Sequence, residues 1–359
     1  GTYALDTNTT AERNTAIGYA AMDANTEGQY NTAVGANALD ANTTASYNTT
    51  VGYRSLGANT TGSENTAIGA DAGLSITTGS YNVAMGYRAL DTNTTGDYNV
   101  AIGRRALDSN TTASNNVAIG RSSMESNTTG TNNVAVGSTS LDANTEGDQN
   151  VAIGRDVLSA NTTGQDNVGV GYASLQAATT ASNNTGLGSK ALRSSTTGAQ
   201  NTAIGAECGD AITTGSNNTA VGYEAMGKLT TGTDNVAIGR AALLDTLSGA
   251  GNVAIGVESL ENNTGNENTA IGKHTLRANT TGGSNVAIGI NALNTDDTGS
   301  YCVAIGRNAL LTQNAGDNSG NVAIGYNTGA AITTATGCTL TGYISGDAIT
   351  TGGGNTAYG

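Results

Sequence analysis

The sequence predicts an all-β protein, a parallel β-roll solenoid of about 21 rungs, in which each rung is one seventeen-residue copy of a repeat. Three observations predict this fold. A short motif, N-[TV]-A-[IV]-G, returns at a nearly constant spacing through all 359 residues, proline is absent, and the apolar residues do not follow a helical period. A short fixed period is typical of a stacked array in which each unit contacts only its neighbours.

We number the Asn that opens each copy of the motif as position 0 and count the other positions of the copy from it. Copies start at Asn14 and at every seventeenth residue from there through Asn252. The copy from Asn252 is one residue shorter than the others, and the copy from Cys302 is two residues longer. Twenty-one copies fill the chain, so we expect residues 1–359 to form a single β-solenoid repeat array. Both ends fall inside a copy, which indicates a fragment of a longer chain at both ends.

Each copy contains two predicted strands and a turn. "NVAIG" alternates β-branched residues with Ala and ends in Gly, which predicts a strand followed by a bend. The next four residues, "RRAL" in the copy from Asn99, predict a second short strand, and "DANTEG" from Asp23 predicts a turn. The shortened and the lengthened copy both change after the Leu of the second strand, where loops at the edge of a stack tolerate insertions.

Two columns of apolar residues predict the core. Position 3 is Ile, Val, Met or Leu in all but two copies, and position 8 is Leu or Met in most. In four copies position 8 is Gly, and in the same four position 11 changes from Asn to Ile, which predicts a narrow core filled from either side. The predicted core residues are Ile17, Val34, Ile68 and Ile102 at position 3, Leu39, Leu90 and Leu107 at position 8, and Ile76 and Ile212 at position 11.

Position 2 is Ala in 17 of the 21 copies, which predicts a tightly packed column. Either the far wall of the same roll lies opposite this column, or another chain packs closely against it. A rung offers two or three large apolar side chains worth about 1.5–3 kcal/mol each on burial, whereas ordering one rung costs about 25 kcal/mol. We therefore expect several chains side by side. The column includes Ala16, Ala33, Ala67, Ala84 and Ala101.

Asn residues recur at positions 0 and 11 of the copies. Stacked Asn side chains can bond to their copies above and below, so both columns predict amide ladders along the stack. The predicted ladder at position 0 includes Asn14, Asn31, Asn48, Asn65, Asn82, Asn99, Asn116, Asn133 and Asn150.

Composition argues against several classes of function. The net charge of −14 disfavours binding to nucleic acid, and no apolar run reaches the about 20 residues that span a bilayer, so no membrane insertion is expected in this segment. Basic residues at positions 5 and 6 and acidic residues at position 9 predict solvated stripes of compensating charge. The single His, His274, has no Ser or Cys nucleophile at a recognisable spacing, so we expect neither an enzyme nor a cofactor.

The three cysteines do not form a disulfide framework. Cys302 and Cys338 share a column but lie two rungs apart, about 10 Å, beyond the limit of about 7 Å for a disulfide. Free thiols are the prediction, and an interchain bridge is the remaining alternative.

Weaker motifs leave other interpretations open. "DANTEG" at Asp23 and Asp142 begins like a calcium loop, but Val34 and Ile153 occupy the place of the required Glu, which favours a plain turn. Repeated "NTT" triplets match a glycosylation sequon and also a plain turn. Adjacent Thr residues at positions 12 and 13 leave an ice-binding solenoid as an alternative, and columns of Tyr leave a carbohydrate-stacking surface open.

The columns N-T-A-[IV]-G, A-L and N-T-T-G resemble the repeat arrays of phage and bacterial tail-fibre-like proteins and, more distantly, the head repeats of trimeric autotransporter adhesins. The resemblance covers the full chain and implies a left-handed, trimeric β-roll that forms a stalk or head and meets a host surface. The expected function is a structural fibre segment of an adhesin, extracellular on a cell surface or virion, that gives mechanical reach and multivalent attachment. The expected partners are other copies of the chain, as a homotrimer, and cell-surface glycans. End-to-end assembly into an extracellular filament is the alternative.

Overall fold

The computed structural model describes all 359 residues, and their contacts divide them into two compact units, Gly1–Ser182 and Asn183–Gly359. Each unit is a β-solenoid in which one copy of the repeat makes one turn. Every copy contributes one strand of three residues, which gives 21 strands, and the chain contains no helix. The predicted all-β solenoid of parallel strands is confirmed.

The first unit holds ten strands that pair in parallel register with a shift of one copy. Thr15 pairs with Thr32 and Ile17 with Val34, so equivalent positions of successive copies lie side by side. The strands are β1 (Thr15–Ile17), β2 (Thr32–Val34), β3 (Thr49–Val51), β4 (Thr66–Ile68), β5 (Val83–Met85), β6 (Val100–Ile102), β7 (Val117–Ile119), β8 (Val134–Val136), β9 (Val151–Ile153) and β10 (Val168–Val170).

The second unit keeps the same register through the copies of unusual length. Val253 pairs with Thr269 across the shortened copy, and Val303 pairs with Val322 across the lengthened copy, so the length changes are confined to the loops as predicted. The strands are β11 (Thr185–Leu187), β12 (Thr202–Ile204), β13 (Thr219–Val221), β14 (Val236–Ile238), β15 (Val253–Ile255), β16 (Thr269–Ile271), β17 (Val286–Ile288), β18 (Val303–Ile305), β19 (Val322–Ile324), β20 (Thr339–Thr341) and β21 (Thr356–Tyr358).

Position 2 faces the interior of the solenoid, and position 3 does not. Ala67 is fully buried, whereas the side chains of Ile17 and Ile68 are 58% and 37% exposed. Neighbouring residues of a strand point to opposite faces, so an interior Ala at position 2 places positions 1 and 3 outside. The core prediction is therefore wrong for the four residues at position 3, which are exposed or half-buried: Ile17, Val34, Ile68 and Ile102.

Position 2 is small because the opposite wall of the same chain lies against it. A Cβ added to Gly169 would lie 2.5 Å from Cγ1 of Val157, which stands at position 7 of the preceding copy. Where Thr50 replaces Ala at position 2, its hydroxyl is hydrogen-bonded to the hydroxyl of Ser55 in that wall. The first interpretation of the tight column is thus supported. Ala16 in the first rung is half-buried, and the other predicted members are buried: Ala33, Ala67, Ala84 and Ala101.

The predicted exchange of apolar groups between positions 8 and 11 is confirmed. A Cβ added to Gly73 would lie 3.0 Å from Cδ1 of Ile76, so the Ile at position 11 fills the space that position 8 leaves. The same exchange joins Gly209 and Ile212 in the second unit, where the distance is 3.1 Å. The predicted core residues at these positions are buried: Leu39, Leu90, Leu107, Ile76 and Ile212.

Leu340 shows how the core accepts a large residue at position 2. Position 8 is Gly in its own rung and in the preceding one, and a Cβ added to Gly329 or Gly346 would lie 2.9 Å from a methyl carbon of Leu340. The extra volume at one position is thus matched by lost volume at the facing positions, as close packing requires.

The residues after the strand form a turn, and the predicted second strand is wrong. Position 4 is Gly in every copy, and a Cβ added to Gly103 (φ 134°) would lie 2.4 Å from the carbonyl oxygen of Gly120 in the next rung. Positions 6 and 8 are also left-handed, as at Arg105 (φ 58°) and Leu107 (φ 54°), which a pleated strand does not allow. The Arg105 N–H donates to the preceding rung and the Leu107 N–H to the following one, each at 3.0 Å, so the turn still links the rungs.

The buried Asn residues hold the turn to the strand. Asn99 Nδ2 and Asn110 Nδ2 both donate to the carbonyl oxygen of Ala113, at 2.8 and 2.9 Å. At position 11 the predicted amide ladder is present, because Asn110 Nδ2 donates to Asn93 Oδ1 at 2.8 Å. At position 0 the main chain donates in every rung of the predicted ladder, as the Asn99 N–H does to Asn82 Oδ1 at 2.9 Å. The predicted side-chain bond is present in some rungs, where Nδ2 also donates to the preceding Asn, as Asn82 Nδ2 does to Asn65 Oδ1 at 3.1 Å. The main-chain bond links, in succession, Asn14, Asn31, Asn48, Asn65, Asn82, Asn99, Asn116, Asn133 and Asn150.

Candidate functional site

The outward side chains of positions 1 and 3 form a continuous band on each unit, which we call the strand face. Position 1 is Thr or Val, position 3 is an aliphatic residue in all but two strands, and no strand contains a charged residue. Ile119 and Ile153 of the first unit are 37% and 40% exposed, and Ile204 and Ile238 of the second are 41% and 39% exposed. Contiguous exposed apolar surface of this kind is typical of a site that contacts another molecule.

A second surface, which we call the flank, carries the charged side chains of positions 6 and 9. Arg88 Nε lies 2.8 Å from Asp91 Oδ2 in its own rung, and another guanidinium nitrogen lies 3.5 Å from Asp108 Oδ1 in the next rung. Arg105 repeats this arrangement with Asp108 and Glu125, at 3.1 and 2.7 Å. The predicted stripes of compensating charge are confirmed in these rungs.

Burial raises the pKa of acidic residues on the flank. Loss of water raises the pKa of Asp108, although the guanidinium groups of Arg105 and Arg88 act in the opposite direction. Burial also raises the pKa of Asp142, and the nearby carboxylate of Asp156 adds to the rise. Desolvation thus opposes the ionised form of these carboxyl groups, and Oδ1 of both Asp108 and Asp142 is buried without a hydrogen-bond partner.

Where two successive copies both end in Tyr, the two rings stack on one another. The Tyr30 and Tyr47 rings are parallel with centroids 4.9 Å apart, and the Tyr81 and Tyr98 rings are 4.8 Å apart. Ring faces that contact each other are closed to a sugar, so these pairs offer few free faces. Other tyrosines, at position 5, are exposed without a stacked neighbour, as Tyr223 is at 49%, so the carbohydrate-stacking alternative stays open there.

The Thr column at position 12 is engaged with the main chain. The Thr94 hydroxyl donates to the Thr111 carbonyl at 3.0 Å, and the Thr111 hydroxyl donates to the Thr128 carbonyl at 3.2 Å. The adjacent Thr112 and Thr129 are exposed. The two hydroxyl columns thus differ in orientation and do not form the flat double row that the ice-binding alternative needs.

The single His and the cysteines do not form a catalytic arrangement. His274 Nε2 lies 3.0 Å from Glu258 Oε2, and a hydrogen bond from Arg240 lowers the pKa of that glutamate. The cysteines are free and fully buried, which confirms free thiols and leaves no sulfur on the surface for an interchain bridge. Burial raises the pKa of the Cys208 thiol to about 12, which keeps it protonated and unreactive.

No group of three or more His, Cys, Asp and Glu side chains is placed to hold a metal ion. The chain contains no helix that could cross a bilayer.

Comparison with known proteins finds no matching protein family and no matching curated protein. The strand face and the flank therefore have to be interpreted from their own chemistry.

The strand face is the candidate contact surface that the sequence pattern did not reveal. Its aliphatic residues, such as Ile119, were assigned to the core because apolar columns are usually buried. The signal that could have found it is the alternation within "NVAIG". A column of small residues at position 2, directly between two larger apolar columns, indicates that the larger ones lie on the other face of the strand.

Proposed function

We propose that the chain is a segment of an extracellular fibre, the stalk or head of an adhesin, in which three copies associate side by side through their strand faces. The observation that supports this best is the strand face itself, a band without charge that carries an aliphatic residue at position 3 in all but the last two rungs. The function of such a segment is mechanical reach and multivalent attachment.

The energy available from the strand face supports lateral association. Burying the roughly 40% of an Ile side chain that is exposed at position 3 contributes about 1 kcal/mol. Ten rungs give about 10 kcal/mol, which is comparable with the association cost of about 4–15 kcal/mol. One or two rungs would not hold chains together, so the many identical copies are themselves a requirement of the assembly.

The charge distribution favours the strand face as the contact. The net charge of −14 repels other copies of the chain, and the charged side chains lie outside the strands. Two chains that meet strand face to strand face bring no like charges into contact. Contact through the flank would place carboxylate columns against each other.

Light scattering after size-exclusion chromatography tests the assembly. We expect a mass three times that of the 35.5 kDa chain. Replacing three strand-face residues together, Ile68→Lys, Ile119→Lys and Ile153→Lys, should give monomers, because buried lysines without partners oppose association. The matched control places lysines on exposed residues of the same rungs, Thr78→Lys, Thr129→Lys and Thr163→Lys, and should remain trimeric.

A stable monomer of the unmodified chain, or loss of the trimer in both sets of variants, would contradict the proposal. Electron microscopy separates the two forms of assembly. Discrete short rods support the fibre segment, and filaments of indefinite length would favour end-to-end polymerisation instead.

A further inference from the structure

The acidic column of the flank is interrupted at Gly57. Position 9 carries Asp40 in the preceding rung, Gly57 in the next and Leu74 in the one after it. In intact rungs Arg at position 6 contacts Asp three residues later, as Arg88 does with Asp91 at 2.8 Å. Without that carboxylate, Arg54 is 45% exposed, and its one ion pair is to Asp71 in the next rung, at 3.6 Å.

The missing side chain opens a surface cavity of about 520 Å³, which we call the Gly57 notch. Its lining includes the charged side chains of Asp40 and Arg54, the apolar side chain of Leu74, and the hydroxyl-bearing residues Thr77 and Thr94. This volume lies within the range of about 300–1,000 Å³ that is usual for small-molecule sites. The notch is a property of Gly57, because a Cβ there would already lie 3.2 Å from Cδ1 of Leu74 and 3.4 Å from Oδ1 of Asp40.

The polar groups of the notch define what a ligand must offer. The hydroxyls of Thr77 and Thr94 donate to carbonyls of the following rungs, each at 3.0 Å, so towards the notch their oxygens act as acceptors. The Asp40 carboxylate is a further acceptor. Arg54 is the donor, with guanidinium N–H groups that Asp71 at 3.6 Å does not satisfy.

Charge excludes ionic ligands. An anion on Arg54 would be repelled by Asp40 and Asp71, and a cation on Asp40 would be repelled by Arg54. A neutral ring with several hydroxyl groups meets every condition, because its hydroxyls donate to the carboxylate and to the Thr oxygens and accept from the guanidinium. Its C–H face packs against Leu74. We propose that the Gly57 notch binds a neutral pyranose unit of a polysaccharide.

A second gap of the same type supplies an internal control. In the second unit, position 9 reads Asp210, Gly227 and Leu244 in successive rungs, and these residues line a cavity of about 120 Å³. Glu224 stands there at position 6 in place of Arg, and Lys228 is held by Asp245 at 2.6 Å. This cavity is too small for a sugar ring and has no free guanidinium, so the Gly and Leu pair alone does not make the site.

Saturation-transfer NMR on the full chain tests the proposal. The probes are the methyl pyranosides of glucose, galactose, mannose and N-acetylglucosamine, each added in turn. We expect saturation transfer to at least one of them. Gly57→Asp should reduce its affinity at least about tenfold, because the variant fills the notch and gives Arg54 a carboxylate three residues on. Arg54→Leu should have a similar effect, since it removes the donor.

Gly227→Asp is the matched control and should bind the pyranoside as the unmodified chain does. Circular dichroism and thermal unfolding of each variant establish that the fold is retained. Absence of transfer to all four pyranosides would overturn the proposal, and so would equal binding by the unmodified chain and Gly57→Asp, or equal loss in Gly57→Asp and Gly227→Asp.

The biological meaning of the notch depends on the proposed attachment function, but its test does not. Trimeric rods that bind no pyranoside would support the fibre proposal and contradict sugar binding at the Gly57 notch. A monomer that binds a pyranoside would support sugar binding at the notch and contradict the trimeric fibre.

Discussion

The middle rungs of the first unit and the late rungs of the second differ in their side-chain ladders and agree in their strands. From the copy at Asn82 to the copy at Asn150, position 11 is Asn in every rung. In the copies from Asn285 and Cys302, the same position holds Asp296 and Gln313, yet the strands keep their register. The comparison teaches that the strand ladder and the Gly turn define the rung, whereas the Asn column is replaceable where another polar group supplies the bonds.

The late rungs replace the Asn ladder with a mixed network. Gln313 Nε2 donates to Asp296 Oδ2 at 2.8 Å and to Cys302 Sγ at 3.0 Å, and Asn321 Nδ2 donates to Gln313 Oε1 at 2.9 Å. One acceptor remains unpaired, because an ionised Asp296 cannot donate to Asn279 Oδ1 as an Asn would.

Where the Asn ladder of position 11 is interrupted in other rungs, a buried amide oxygen is likewise left without a hydrogen-bond donor. The Oδ1 atoms of Asn59 and Asn161 have no partner, since the next rungs carry Ile76 and Ala178 at position 11. A buried acceptor without a partner costs about 1–3 kcal/mol. Regular rungs avoid this cost, which is one physical reason for repeating the same residue.

The largest effect should come from the Gly turn, and it should be the same in both units. Gly103→Ala and Gly289→Ala each place a Cβ 2.4–2.6 Å from the next rung's Gly carbonyl oxygen at a left-handed φ, so each should destabilise its unit by more than about 3 kcal/mol. Urea unfolding with hydrogen exchange to locate the loss measures this. Gly352→Ala, where the nearest atom is 3.6 Å away, should change little. A tolerated Gly103→Ala would break the claim that this turn defines the rung.

Asp296 should make the late rungs sensitive to pH. Burial raises its pKa to about 6 from 3.8, against the effect of the bonds from Gln313 and Gly299. Between about pH 4 and 6 the folded state therefore binds more protons than the unfolded state. The contribution of this group to the free energy of unfolding is complete below pH 4 and is lost as pH rises through 6, by up to about 3 kcal/mol.

Asp296→Asn should remove the loss of stability at high pH. The new amide has no proton to release on titration, and its NH2 group can donate to Asn279 Oδ1. Hydrogen exchange of residues 285–320 at pH 4 and pH 8 is the measurement. The variant should be protected more than the unmodified chain at pH 8 and similarly at pH 4. Equal protection of the two proteins at both pH values would contradict the network described above.

Loss of one Asn should depend on its neighbours in the ladder. Asn110→Ala removes bonds to Asn93 and Ala113 and takes the acceptor away from Asn127, so it should cost about 2–3 kcal/mol. Asn161→Ala should cost about 1 kcal/mol less, because Asn161 Oδ1 accepts no bond. Chemical denaturation of the two variants measures the difference. Equal losses would mean that the bond which Asn110 Oδ1 accepts from the next rung contributes nothing to stability.

The smallest effect is expected from an exposed ion pair. Lys228 lies 2.6 Å from Asp245, but the two side chains are 62% and 36% exposed. Lys228→Gln should change the free energy of unfolding by less than about 0.5 kcal/mol, since water and salt screen such pairs. A loss above about 1 kcal/mol would show that the flank stabilises the rungs more than solvent exposure allows.

The repeat made much of the fold predictable. A constant seventeen-residue period without proline indicates stacked rungs, and the paired changes at Gly73 and Ile76 located the core between positions 8 and 11. The outward side of the strand was missed, because apolar character alone does not tell a core from a contact surface. The second strand was predicted wrongly because "RRAL" contains no Gly that would indicate positive φ values. Arg105 and Leu107 nevertheless adopt positive φ in the turn. The Gly57 notch depends on the absence of one side chain among three rungs and needed coordinates.

The distance between two strand-face residues five copies apart tests the central claim most directly. Spin labels on Ile68→Cys and Ile153→Cys, both in the first unit, are measured by pulsed electron paramagnetic resonance, with the native cysteines buried and unlabelled. If each copy is one rung with position 3 outward, the labels should lie about 24 Å apart, which is five strand spacings. A distance far from that value, or labels that are immobilised in the interior, would contradict the account.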